Sequence, residues 1–115
     1  LVGPEVLTGS TRMKAGTAQK MTLNMISTAA MARSGKVYGN RMVDVQVTNE
    51  KLKRRACRIL KDLTGVDEAA AQNLLAAADN NAKVAIVMQR RGVDAATARR
   101  LLQAAHGFLR PVIDG

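Results

Sequence analysis

Glu5, Ser10, Thr11, Arg12 and Lys14 are the residues of this chain whose types and spacing could do chemistry. They fall in one run, Gly3-Pro4-Glu5-Val6-Leu7-Thr8-Gly9-Ser10-Thr11-Arg12-Met13-Lys14-Ala15-Gly16-Thr17-Ala18-Gln19-Lys20. Physically it is a hydroxyl-rich turn that feeds the start of a helix. The first amides of a helix lack partners within it, and the helix dipole is positive there. Such an end can hold a phosphate or a carboxylate. Thr8, Ser10 and Thr11 add hydroxyl donors, and Arg12 and Lys14 add positive charge. Glu5 is an acceptor suited to sugar hydroxyls, or a candidate acid or base. Ala15 and Gly16 leave room for another backbone to approach. The plain alternative is a Ser-Thr cap followed by solvated cations, and the residues alone leave both readings open.

The elements that must position this run are helical. Ser10 or Thr11 can cap a helix that runs to about residue 34, where Gly35 stops it. Met21, Leu23, Met25, Ile26, Ala29, Ala30 and Met31 leave that helix little polar face. A helix apolar nearly all round is expected to be buried on several sides, by a missing sheet or a partner subunit. Residues 36–48 form an irregular or extended connection in which Val43, Val45 and Val47 alternate with Asp44 and Gln46. An amphipathic helix follows over about 49–64. Leu52, Ala56, Ile59, Leu60 and Leu63 form its apolar stripe, and Gly65 ends it. Three short helices are predicted after it, over about 67–78, 81–91 and from Asp94 to Gly107 or Pro111. Connections this short between helices argue for a compact bundle.

Composition narrows the function classes. The chain has 115 residues, 47% of them apolar, and Tyr38 and Phe108 are its only aromatics. A core of Ala, Leu, Val, Ile and Met favours packed helices. The formal net charge is +9, concentrated in the first half and in residues 49–66, which hold six basic and two acidic groups. Such charge attracts sugar phosphates and nucleic acid. For the basic helix, however, the solvated face opposite the leucine stripe is the preferred reading, and the lack of aromatics argues against base stacking. A nucleic-acid-binding helical module is therefore the least favoured alternative.

Cys57 is the one cysteine, which rules out an internal disulfide framework and suits a reducing cytosol. It is read as an inert buried thiol, since no base accompanies it. His106 stands apart from any ligand cluster and is read as a surface or packing residue, so no metal site is expected. Asp44 is read as an anchor for its connection. No apolar run approaches the roughly 20 residues needed to cross a membrane, and no leader is recognised. Leu1-Val2-Gly3-Pro4 reads as a chain cut within a domain.

The run over residues 3–20 resembles, at all eighteen positions, the signature segment shared by the N-acetylmuramic acid 6-phosphate etherases and the glucokinase regulatory protein. Lys36-Val37-Tyr38-Gly39-Asn40, Met42-Val43-Asp44-Val45 and Thr48-Asn49-Glu50-Lys51-Leu52 continue the likeness to the etherases. Beyond residue 52 the likeness is of layout rather than motif, and Ala32-Arg33-Ser34 is more polar than the family pattern.

The resemblance implies a mainly α chain. Residues 1–48 would close an α/β sugar isomerase domain with a long buried helix, and residues 49–115 would form a basic linking helix and a small ubiquitin-associated-like helical bundle. It implies a cytoplasmic, homodimeric lyase without metal or organic cofactor, which cleaves the D-lactyl ether of N-acetylmuramic acid 6-phosphate in amino-sugar and cell-wall recycling. The products are N-acetylglucosamine 6-phosphate and D-lactate, formed by elimination and water addition. Two carboxyl groups with different pKa values suit that scheme. In the family they lie upstream of the signature, so no catalytic residue is assigned to this chain. Glu5, Ser10, Thr11, Arg12 and Lys14 would line the pocket for the phosphorylated amino sugar. A regulatory phosphosugar-binding protein of the same superfamily is the alternative.

Overall fold

Four polar side chains set the starts of four helices, at the positions where the sequence predicts those helices to begin. In the computed structural model, which describes residues 2–9 and 12–115, the Asn49 side-chain oxygen accepts from the Leu52 amide at 2.9 Å and opens α2 (Glu50–Thr64). Asp67 accepts from Ala70 at 2.8 Å and opens α3 (Glu68–Ala77). Asn81 does so for α4 (Ala82–Arg91) through Val84, and Asp94 for α5 (Ala95–Ala104) through Thr97. Each cap satisfies one amide that the helix itself cannot. Gly65 and Gly92 end α2 and α4 in the left-handed conformation.

These helices belong to a unit spanning Ser34–Gly115; a separate unit spans Leu1–Arg33 and contains α1 (Lys14–Arg33). The sequence reading placed the division at residue 48. Here residues 34–48 belong with the helices that follow. The strands β1 (Val37–Tyr38) and β2 (Arg41–Met42) pair antiparallel, with Val37 opposite Met42 and Tyr38 opposite Arg41. Gly39, at φ 60, supplies the turn conformation that a two-residue hairpin needs at its first central position. The alternation at Val43, Val45 and Val47 is used: Val43 and Val45 are buried, and Asp44 and Gln46 face out. The Ala82 amide donates to the Val45 carbonyl at 3.2 Å, and the Val47 amide donates to the Asn80 carbonyl at 3.1 Å. The connection is thus stitched to the start of α4.

The core of this unit centres on α4. Its residues 82 to 87 are buried without a break, and it packs against α2, α3, α5 and α6 (Leu109–Ile113). Ala56, Ile59 and Leu60 of α2, Leu75 of α3 and Leu102 of α5 close around it. Cys57 is buried with them, and burial, followed by the nearby Glu68 charge, raises its thiol above the ordinary value of 9.0. The inert reading of this thiol fits that environment. The last predicted helix ends just before Gly107, the first of its two expected stops, and a further short helix follows. α5 stops at Ala104, His106 and Gly107 turn through positive φ, and α6 begins at Leu109. Pro111 sits in the first turn of α6, where a missing amide hydrogen costs nothing. The Tyr38 hydroxyl donates to the Asp114 carboxylate at 2.8 Å and ties α6 to β1.

α1 is the opposite case: within this chain none of its residues is buried. Met21, Leu23, Met25 and Ile26 are each more than half exposed. Thr22 and Ser27 turn their hydroxyls back onto the carbonyls of Ala18 and Leu23, which makes the surface of the helix more apolar still.

Gly35 is buried at φ 75, and a Cβ added there would lie 2.9 Å from the Gly107 carbonyl oxygen. Gly65 has the same φ with nothing within 4 Å. Gly65→Ala is expected to cost only the left-handed penalty, about 1 kcal/mol. Gly35→Ala adds a backbone clash and should cost at least about 1 kcal/mol more. Denaturant unfolding of the two variants reads the difference, and equal losses would show that the Gly35–Gly107 approach does not matter.

Candidate functional site

The start of α1 is capped by Glu5. Its carboxylate accepts from the Lys14 amide at 3.0 Å and from the Ala15 amide at 2.9 Å. The carboxylate and those amides lie nine and ten positions apart in sequence, and Gly9 between them has φ 81. Two backbone donors and the positive end of the helix favour the ionised form, so the Glu5 carboxyl lies below its ordinary value of 4.5. At this helix end the free amides of Lys14 and Ala15 are taken by a carboxylate of the same chain. Glu5 caps the helix here; the sequence offers it as an acceptor for sugar hydroxyls or as a candidate acid or base.

Arg12 and Lys14 are exposed, and neither side chain has an ion-pair partner among the described residues. Both stand at or just before the first turn of α1, where their charge opposes the dipole and would favour an added anion. Ser10 and Thr11 lie outside the described residues. Of the five residues singled out, the structure brings Glu5 into direct contact with the Lys14 backbone and leaves the Arg12 and Lys14 side chains open. Among the described residues no group of three or more His, Cys, Asp or Glu side chains is placed to hold a metal ion. Among the described residues no helix is long and apolar enough to cross a membrane.

The sequence of this chain is similar to those of known proteins over most of its length. Residues 39–84, from the hairpin turn into α4, match the C-terminal lid domain of glucokinase regulatory protein. N-acetylmuramic acid 6-phosphate etherase of Salmonella schwarzengrund is 55% identical over 114 residues, 99% of this chain. The proteins of that name from Aeromonas hydrophila and Yersinia pestis are 57% and 56% identical over 95% and 98% of the chain. The chain is a homologue of the N-acetylmuramic acid 6-phosphate etherases. It spans 38% of the length of the Salmonella and Yersinia relatives and 37% of the Aeromonas one. The match runs through the bundle as well as the signature, although the motif likeness read from the sequence thinned after residue 52.

One grouping escaped the sequence reading. The hairpin carries Arg41 to the outer face of α2, beside Lys51, Arg54, Arg55 and Arg58. The spacing within α2 was legible as a basic face. The arrival of a fifth cation from another element was not: Gly39-Asn40 is a local signal for a two-residue hairpin turn, whereas the expectation for residues 36–48 is an irregular or extended connection.

Glu5 gives a pH test with a definite sign. Its folded-state pKa is depressed, so its support of the first turn is present above the ordinary carboxylate value. That support is lost as pH falls through the lowered one. In a carbon- and nitrogen-detected NMR titration, Glu5 should ionise with a midpoint below 4.5. The Lys14 and Ala15 amide resonances should move with the same midpoint. Glu5→Gln should abolish that coupled movement, and amides that titrate independently of Glu5 would refute the cap.

Proposed function

We propose that the chain is part of a lyase that cleaves the D-lactyl ether of N-acetylmuramic acid 6-phosphate, and that its contribution is to hold the phosphorylated sugar. The observation that carries this reading is identity above half over nearly the whole chain to proteins of that name. The chemistry is elimination followed by water addition, giving N-acetylglucosamine 6-phosphate and D-lactate. It needs one carboxylate to take the proton beside the open-chain aldehyde and one carboxylic acid to assist the departing lactate. Neither Glu5 nor Glu50 has those roles, since Glu5 is engaged with two backbone amides and Glu50 lies in the first turn of α2. The catalytic pair belongs to the portion of the relatives that this chain does not span.

The substrate-holding set is Glu5, Ser10, Thr11, Arg12 and Lys14. Arg12 and Lys14 supply unpaired charge for the phosphate, and Glu5 fixes the helix start from which they project. A carboxylate already seated on the amides implies that the phosphate meets the cations and hydroxyls rather than the Lys14 and Ala15 amides. The exposed apolar surface of α1 supports a further part of the reading. In the whole molecule this helix packs into a sugar isomerase domain, with a second subunit completing the assembly. A cytoplasmic setting suits a phosphorylated substrate and an unpaired buried thiol.

Coupled assays of D-lactate test the reading. The chain alone is expected to release none from N-acetylmuramic acid 6-phosphate. A chimera that joins it to the part of the Salmonella relative it does not span should turn over. In that chimera Arg12→Gln should raise KM by about 10-fold or more, as loss of a charge-assisted contact to phosphate predicts, with a smaller change in kcat. Lactate release by the chain alone would remove the placement of the catalytic carboxylates. A folded chimera that binds the sugar phosphate without turnover would favour a regulatory protein.

A further inference from the structure

The geometry points to a second anion site on the outer face of α2: the cleft between the β1–β2 hairpin and α2 binds a small anion that carries two or more linked phosphate groups. The cleft encloses about 770 Å³ and is lined by Arg41 from the hairpin and by Lys51, Arg54, Arg55 and Arg58 from α2. No acidic side chain lines it. Arg41 alone has a carboxylate partner, Asp62 at 2.6 Å, and the four α2 cations have no ion pair or hydrogen bond among the described residues.

The fold forces these charges together. Ala56, Cys57 and Leu60 are buried on the other side of α2, and Ile59 is buried at the edge of the cleft, so the helix cannot turn its basic face away. The Asn49 cap fixes its first turn and Gly65 its last. Lys51 and Arg55, and Arg54 and Arg58, stand four residues apart on that face, where like charges oppose the helix. The hairpin then adds Arg41 from across the cleft instead of a carboxylate that would relieve the repulsion. An anion in the cleft relieves it.

The length of the stripe selects the ligand class. From Lys51 to Arg58 the helix rises about 10 Å at 1.5 Å per residue. A lone phosphate engages part of that stripe, whereas linked phosphates reach along it and accept from several guanidinium forks at once. Nucleic acid is the other polyanion of this charge. It fits less well, because neither Tyr38 nor Phe108 lines the cleft, so no ring is available for a base to stack on.

Residue-resolved NMR titration of the whole chain with inorganic pyrophosphate and with orthophosphate tests this directly. Pyrophosphate should shift the α2 and hairpin amides, including those of Arg54 and Arg58, and bind about 10-fold or more tighter than orthophosphate there. Arg54→Gln with Arg58→Gln should weaken pyrophosphate by about 10-fold or more, while Arg91→Gln with Arg100→Gln removes the same charge elsewhere and should change it by less than about 2-fold. Should the first pair fail to fold by circular dichroism, Lys51→Gln replaces it and should weaken binding by about 3-fold or more. Equal affinity for the two anions, equal losses in the two double variants, or shifts confined to residues 12–15 would overturn the site. Tighter binding of a short random-sequence DNA duplex than of pyrophosphate at the same amides would overturn it in favour of nucleic acid.

Discussion

Burial of α4 on every side is the constraint from which the Ser34–Gly115 unit follows. A helix whose residues 82 to 87 are all enclosed needs neighbours on each flank, and four helices and the Val43–Val47 connection provide them. Enclosure also traps a charge. Lys83 is 8% exposed, and its Nζ donates to the Gly107 carbonyl at 2.6 Å and lies 3.8 Å from Asp44 Oδ1. A buried ammonium without such partners would be costly. The lysine therefore dictates where its partners must be. It holds the α5–α6 turn and the Asp44 connection against α4, and the close approach of Gly35 to the Gly107 backbone belongs to the same joint.

α1 and α4 carry the same kind of message in sequence, apolar residues around most of the circumference, and meet opposite fates. α4 has five elements around it, and α1 has no buried residue. Periodicity reports what a helix asks of its surroundings and is silent on whether this chain supplies it. That is why the expectation of a buried helix over residues 10–34 pointed beyond the chain. The short span relative to the etherases agrees with that expectation, since the chain accounts for 38% of the length of the Salmonella protein.

What could be read in advance divides by range. Asn49, Asp67, Asn81 and Asp94 each satisfy an amide three residues on, so their consequences are local and the four helices they open were legible. The stops at Gly65 and Gly92 were legible for the same reason. The pairing of 36–48 was half-legible: Val43 and Val45 gave the period, but their partner is the start of α4, more than thirty residues away. Gly107 was legible as one of two stops for the last helix; the short helix Leu109–Ile113 beyond it was not, because about one turn and a half is too short to show a period. Glu5 is singled out by its sequence context, but its reach back to the Lys14 and Ala15 amides was not legible.

That reach matters for how an anion site of this type is built. The amides of Lys14 and Ala15 are held by a carboxylate of the same chain, present at a high effective concentration because only a short turn separates them. A phosphate in solution must outcompete that tethered anion to reach the same donors. It gains most by leaving Glu5 in place and meeting the groups around it. Glu5 then keeps the first turn wound, so Arg12 and Lys14 are presented from a fixed backbone instead of a frayed one. Their charge, unfavourable at a helix start in isolation, becomes favourable once a phosphate stands between them and the solvent. The carboxylate and the cations are thus compatible parts of the proposed arrangement: the acid organises the helix end, and the bases would attract a phosphate to it.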